Sequence, residues 1–261
     1  MTISERAVDM AQAGSQAAPA AVMIPTVAIL NPSTVLTDAQ VQPVVAACAK
    51  QVANDFGPAW GVSANVVFVA QGQAVPAGSW QLAVLDDSDQ AGALGYHDLT
   101  QDGMPFGKVF ARTDLQDGLS WSVTISHELL EMLGDPDISL TVFNQAGNTG
   151  GVLYAYEACD ACEDDQFGYQ VDGVLVSDFV TRSWFSTGLP GPYDFKGYIT
   201  SSLQILAGGY IGVFDITAGS GWQQKTNADD RLAILRARRQ PRGSRRERRS
   251  IPRSQWVRSE R

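Results

Sequence analysis

Apolar residues recur along the chain with two periods, and the alternation between them sets the expected elements. Residues 26–30 form a short β-branched apolar run closed by Asn31-Pro32-Ser33, which predicts a buried strand. Val41, Val44, Val45, Cys48, Val52 and Phe56 then recur at three- and four-residue spacing. They predict a helix that opens at a Thr37 or Asp38 cap and stops at Gly57-Pro58, with Pro43 tolerated in its first turns. Residues 65–70 and 80–85 read as strands, and two shorter strand candidates begin at Gly92 and Gly107 on either side of a turn-rich segment. From Leu119 the pattern is helical again. Trp121, Ile125, Leu129 and Leu133 share one stripe that Val123 and Leu130 widen; Gly134 is placed as a C-terminal cap and Pro136 forbids continuation. Beyond it the chain is rich in strands and turns, with a two-residue hairpin signal at Asp172-Gly173 and a second hairpin expected over residues 208–222.

This order predicts an α+β fold: a mixed, twisted β-sheet with a backing helix, a second helix beside the sheet, and an irregular β-rich C-terminal lobe. Residues 1–24 are expected to be a flexible lead-in. Residues 25–230 form the folded domain, with an upper lobe over about 25–137 and a lower lobe over about 138–230, and residues 231–261 form a basic, disordered tail.

Charge sharpens that division. Of the 19 basic residues, 12 are arginines at or beyond Arg231, whereas 26 of the 28 acidic residues precede it. So acidic a body repels nucleic acid and attracts cations, so nucleic acid or an acidic partner is expected only through the Arg-rich tail. Polar residues break up the N-terminal apolar positions, which argues against a signal peptide. No stretch approaches the roughly 18 to 20 apolar residues of a membrane span. The expectation is a soluble protein with no membrane partner and an open compartment. Cys48, Cys159 and Cys162 are too few for a disulfide scaffold, and the lone Cys-x-x-Cys reads as a local disulfide or two free thiols.

The chemistry concentrates in His127-Glu128-Leu129-Leu130-Glu131. His127 and Glu131 are one helical turn apart and can reach one ion, while Glu128 projects about 100° away, where it can touch a water and act as general base. A third ligand is offered by Asp137, completing His-Glu-x-x-Glu-x-x-Gly-x-x-Asp; His97 is the alternative if its strand folds over the helix. A competing reading is an ordinary amphipathic helix with an exposed acidic face.

The pattern resembles the metzincin metallopeptidase motif, in which a glycine stands seven and a third ligand ten residues after the first histidine; snapalysin-type members carry Asp at that last position. The order of elements over residues 26–137 is also similar to the zincin fold, whose edge strand precedes the metal helix and pairs with substrate backbone. The resemblance implies a zincin-like domain in which a metal-bound water, activated by Glu128, cleaves the bonds of a peptide or protein substrate. It implies one divalent ion on His127, Glu131 and Asp137, zinc first and manganese second. Two departures stand out: Glu131 replaces the family's second histidine, and no methionine follows Met132. The first adds negative charge to the ion's shell and shifts preference toward harder metals. These departures define the alternative function, a catalytically silent zincin-fold binding or structural module. A second acidic cluster, Glu157, Asp160 and Glu163, is spaced to hold calcium or to lend a ligand to the His127 site.

Overall fold

The computed structural model describes residues 24–89 and 93–227. The lead-in segment and the basic tail expected from the sequence lie outside them, apart from the last residue of the former and residues up to 227 of the domain. Strands β1 (Thr26–Leu30), β2 (Asn65–Val69), β3 (Trp80–Leu85), β4 (Gly95–Leu99) and β5 (Pro105–Phe110) form one mixed sheet in the order β2-β1-β3-β5-β4. β1, β2, β3 and β5 run parallel, and β4 pairs antiparallel with β5 at the sheet's edge. The parallel strands are the most apolar: Val27, Ala28, Ile29, Leu82, Val84 and Val109 are fully buried, as expected where both faces of a sheet are covered.

Helix α1 (Asp38–Gln51) follows β1 and returns the chain to β2. Thr37 is its N-cap, and its backbone N–H donates to Gln40 Oε1 at 2.9 Å, half of a capping box. The stop expected at Gly57-Pro58 does not occur. The helix passes through one π turn, Val52–Phe56, into α2 (Gly57–Trp60), and ends at Gly61 in the left-handed region with φ 68°. The wider turn absorbs the proline, which lacks an N–H, and a Cβ on Gly57 would lie 2.5 Å from the Val52 carbonyl oxygen.

After β5 comes α3 (Ala111–Asp117), then α4 (Trp121–Gly134), the second helix expected from the sequence. Gly134 closes α4 without capping it in the left-handed sense. Its bare Cα admits the Trp60 ring, whose nearest carbon would sit 3.1 Å from an added Cβ. The C-terminal half contains β6 (Thr141–Ala146), β7 (Gly150–Ala155), the hairpin β8 (Tyr169–Val171) with β9 (Val174–Val176), and β10 (Tyr210–Asp215) with β11 (Trp222–Thr226). The order β11-β10-β7-β6 makes a second, antiparallel sheet. Asp172 and Gly173 both have positive φ, 50° and 81°, as the primed turn read from the sequence requires.

The architecture is therefore α+β. One buried apolar cluster joins the two halves, running from Val27 and Ile29 through Leu129 and Met132 to Phe179, Trp184 and Ile211. Among the described residues no helix is long and apolar enough to cross a membrane.

Candidate metal centre

α4 is enclosed on every side. Every residue from Val123 to Leu133 is buried, because β3, β4 and β5 pack along one flank while α1 and β9 pack against others. The exposed acidic face of an ordinary amphipathic helix is thus ruled out: Glu128 is 5% and Glu131 1% exposed. A helix apolar nearly all round is normal in such a place. Two carboxylates and an imidazole are not, because burying charge is costly unless it is paired.

Their partners come from both flanks. From β4, His97 projects onto α4, with Nδ1 3.3 Å from Glu128 Oε2 and 3.7 Å from Glu131 Oε2. From the loop after β7, Asp160 Oδ1 lies 3.4 Å from His127 Nε2, and Glu157 Oε2 lies 3.6 Å from His97 Nε2. Within the helix, His127 Nε2 and Glu131 Oε2 are 3.3 Å apart, the i, i+4 pair expected from the sequence. The strand approaches so closely because residue 95 is glycine; a Cβ there would lie 2.8 Å from Glu128 Oε1 and 2.9 Å from Thr124 Cγ2.

Glu131 also does something that an imidazole at this position could not. Its Oε1 accepts the backbone N–H groups of Cys159 (3.0 Å) and Asp160 (3.3 Å), while Oε2 faces both histidines. One carboxylate therefore anchors the loop that delivers Asp160 and contributes a donor atom to the centre. The loop is held further by Val180 N–H on the Ala158 carbonyl and Leu206 N–H on the Ala161 carbonyl.

The electrostatics follow from burial and crowding. Burial alone would depress the His127 pKa, but the charge of Glu131 and the hydrogen bond that the ring donates to Asp160 overcome it and raise it well above the ordinary value. Burial and the Glu131 charge drive the Asp160 carboxyl up, against its bond to His127. Glu131 moves the other way: burial opposes ionisation, yet His127, His97 and the Cys159 N–H bring its pKa down to about 2.

The donors suit a transition metal. With metal–nitrogen and metal–oxygen bonds of about 2.0 to 2.2 Å, tetrahedral donors lie roughly 3.4 Å apart. The His127–Glu131 and His127–Asp160 separations of 3.3 and 3.4 Å match this edge. The ligand atoms of His127, Glu131 and Asp160 lie within 4.8 Å of one another, as do those of His97, Glu131 and Glu157.

Of the residues singled out in the sequence, His127, Glu128 and Glu131 are brought together here with His97, the alternative to Asp137, and Asp137 is not. α4 ends at Gly134, the buried Asp135 carboxylate accepts the N–H groups of Ser139 and Leu140, and Ile138 takes a φ of 47°. That turn leaves Asp137 exposed on its outside. The calcium trio is likewise divided: Glu157 and Asp160 turn to the histidines, while the charge of Glu163 acts on Asp114. Cys159 and Cys162, beside Asp160, are buried free thiols. Sequence spacing carried a signal for the loop, since Glu157 and Asp160 stand three residues apart, and of its two expected uses, calcium or a ligand lent to the His127 site, the place of Asp160 beside His127 agrees with the second.

No protein-family model, curated protein or solved structure matches the chain.

Proposed function

We propose that the chain is a zincin-like, metal-dependent hydrolase that cleaves peptide bonds, with a divalent ion on His127, Glu131 and Asp160 and with Glu128 as general base. The observation that carries this reading is the 3.3 and 3.4 Å approach of His127 Nε2 to one carboxylate oxygen each of Glu131 and Asp160, all on buried side chains. When bound, the ion supplies a Lewis acid that polarises a carbonyl and makes water a better nucleophile. Glu128, next to a ligand on the same helix but turned toward β4, is suited to take the proton from that water. His97 Nδ1, 3.3 Å from Glu128 Oε2, fixes the carboxylate's orientation. A peptide substrate is supported by the place of β4 as the terminal strand of the described sheet, next to the ligand helix, the kind of position at which an extended backbone joins a sheet. The mixed nitrogen and oxygen donors suit zinc or manganese.

A second reading, a zincin-fold module in which the metal is structural, is favoured by one observation: His127, Glu128 and Asp160 are each only 5% exposed. The two are separated by turnover of an unbiased peptide library by wild type and Glu128→Gln, each loaded with zinc or manganese and assayed for metal. A general base contributes about 10² to 10⁴-fold in rate. Cleavage by wild type alone supports the hydrolase. Metal in both proteins with cleavage by neither supports the module, and equal cleavage by both removes Glu128 from the mechanism.

A further inference from the structure

The donors around α4 outnumber what one ion needs, and they fall into two sets. His127 and Asp160 form one with Glu131; His97 and Glu157 form the other, again with Glu131, the one residue the two sets share. We propose that the centre holds two divalent transition ions bridged by Glu131, the first on His127 and Asp160 and the second on His97 and Glu157. The inference rests on the metal-site reading above and adds the second ion.

Three observations support it. The first is the division of labour in Glu131. Oε1 is committed to two backbone N–H groups, so only Oε2 faces the histidines, 3.3 Å from His127 Nε2 and 3.7 Å from His97 Nδ1. A single carboxylate oxygen placed between two imidazoles is positioned as a one-atom bridge, and ions sharing such a bridge lie roughly 3.5 to 4 Å apart.

The second is the state of His97. Its Nδ1 lies 3.3 Å from Glu128 Oε2 and its Nε2 lies 3.6 Å from Glu157 Oε2, both close to the donor–donor edge of a metal shell, so either nitrogen can ligate while the other keeps a carboxylate for its proton. Histidine ligands commonly give their other ring N–H to a carboxylate in this way, which fixes both tautomer and ring orientation.

The third is charge. Glu128, Glu131, Glu157 and Asp160 are all buried, and the two histidines beside them are neutral when they act as ligands. One divalent ion would leave half of the negative charge of these carboxylates uncompensated in a low-dielectric site, whereas two neutralise it. Two ions also suit hydrolysis, since one can orient the nucleophile while its neighbour stabilises developing charge.

The test uses the full chain, purified without chelator, loaded with manganese or zinc, and dialysed against metal-free buffer to strip ions from the acidic surface. Elemental analysis is expected to give two ions per chain, and the manganese form should show the electron paramagnetic resonance spectrum of an exchange-coupled pair. His97→Ala and Glu157→Gln should each fall to one ion per chain with the spectrum of isolated manganese. One ion in wild type overturns the second site and leaves the hydrolase reading standing; no ion overturns both. Two ions retained in Glu157→Gln and in folded His97→Ala would overturn the assignment of the second set. Should His97→Ala fail to fold, the wild-type stoichiometry and Glu157→Gln decide.

Discussion

Glu131 is assigned two separable duties, and a pair of substitutions divides them. Glu131→Ala removes the acceptor for the backbone N–H groups of Cys159 and Asp160, both in a buried loop. A buried donor left without a partner costs about 1 to 3 kcal/mol, so the pair costs roughly 2 to 6 kcal/mol. That is a large part of a typical stability of about 5 to 15 kcal/mol. Glu131→Gln keeps an oxygen where Oε1 stands and should lose less than the alanine variant, yet it replaces the charged oxygen between the histidines with a neutral amide. The comparison is made by urea denaturation in chelator, so that metal does not contribute. The acid limb gives a further check. The folded-state Glu131 pKa is depressed to about 2 from an ordinary 4.5, so its contribution is present above pH 4.5 and is lost as pH falls toward 2. Metal-free wild type should lose stability over that window more steeply than Glu131→Gln. Equal destabilisation by Ala and Gln, or an Ala variant as stable as wild type, would refute the anchoring role.

Gly95→Ala should press a methyl group against Glu128 and Thr124, costing about 1 to 3 kcal/mol in melting experiments and weakening metal retention by displacing His97; a variant that melts like wild type and retains its metal would show that β4 is not held against α4. Asp178 is raised to about 8, by burial first and then by its bond to Asp194. Because the folded state favours its protonated form, that contribution is complete below about pH 3.8 and is lost as pH rises through about 8, on the order of a few kcal/mol. Asp178→Asn should therefore flatten the decline in unfolding free energy between pH 5 and pH 8, with the remaining slope coming from Asp114, itself raised to about 8, and from Asp160 and His127, both raised as well; an unchanged slope would mean that Asp178 ionises freely in the fold.

Much of the frame was legible in the sequence because it is set by neighbours along the chain. The periodicity from Trp121 to Leu133 fixed α4, the Asp172-Gly173 pair fixed a hairpin, and the β-branched run at residues 26–30 fixed a central strand. His127 and Glu131 met as their spacing required. The punctuation was less faithful. Gly134 read as a cap and Gly57-Pro58 as a stop, but both glycines answer to close contacts, one with Trp60 and the other with the Val52 carbonyl. Asp137 shows the deeper limit. A ligand just past the end of a helix depends on how the chain turns there, and here Asp135 satisfies the turn and leaves Asp137 outside. Asp160 and Glu157 arrive instead after two intervening strands, guided by a bond to Glu131 that no local pattern records.

The central claim is that α4 carries a metal centre, and its most direct measurement is the metal content of wild type and His127→Ala, purified side by side without chelator, with folding verified by circular dichroism. His127 Nε2 lies 3.3 and 3.4 Å from the oxygens of Glu131 and Asp160, so removing it takes away the only nitrogen donor of that ligand set. The account predicts bound ion in wild type and loss of the ion on His127, Glu131 and Asp160 in the variant. Equal metal content in the two folded proteins, or none in either, would contradict it.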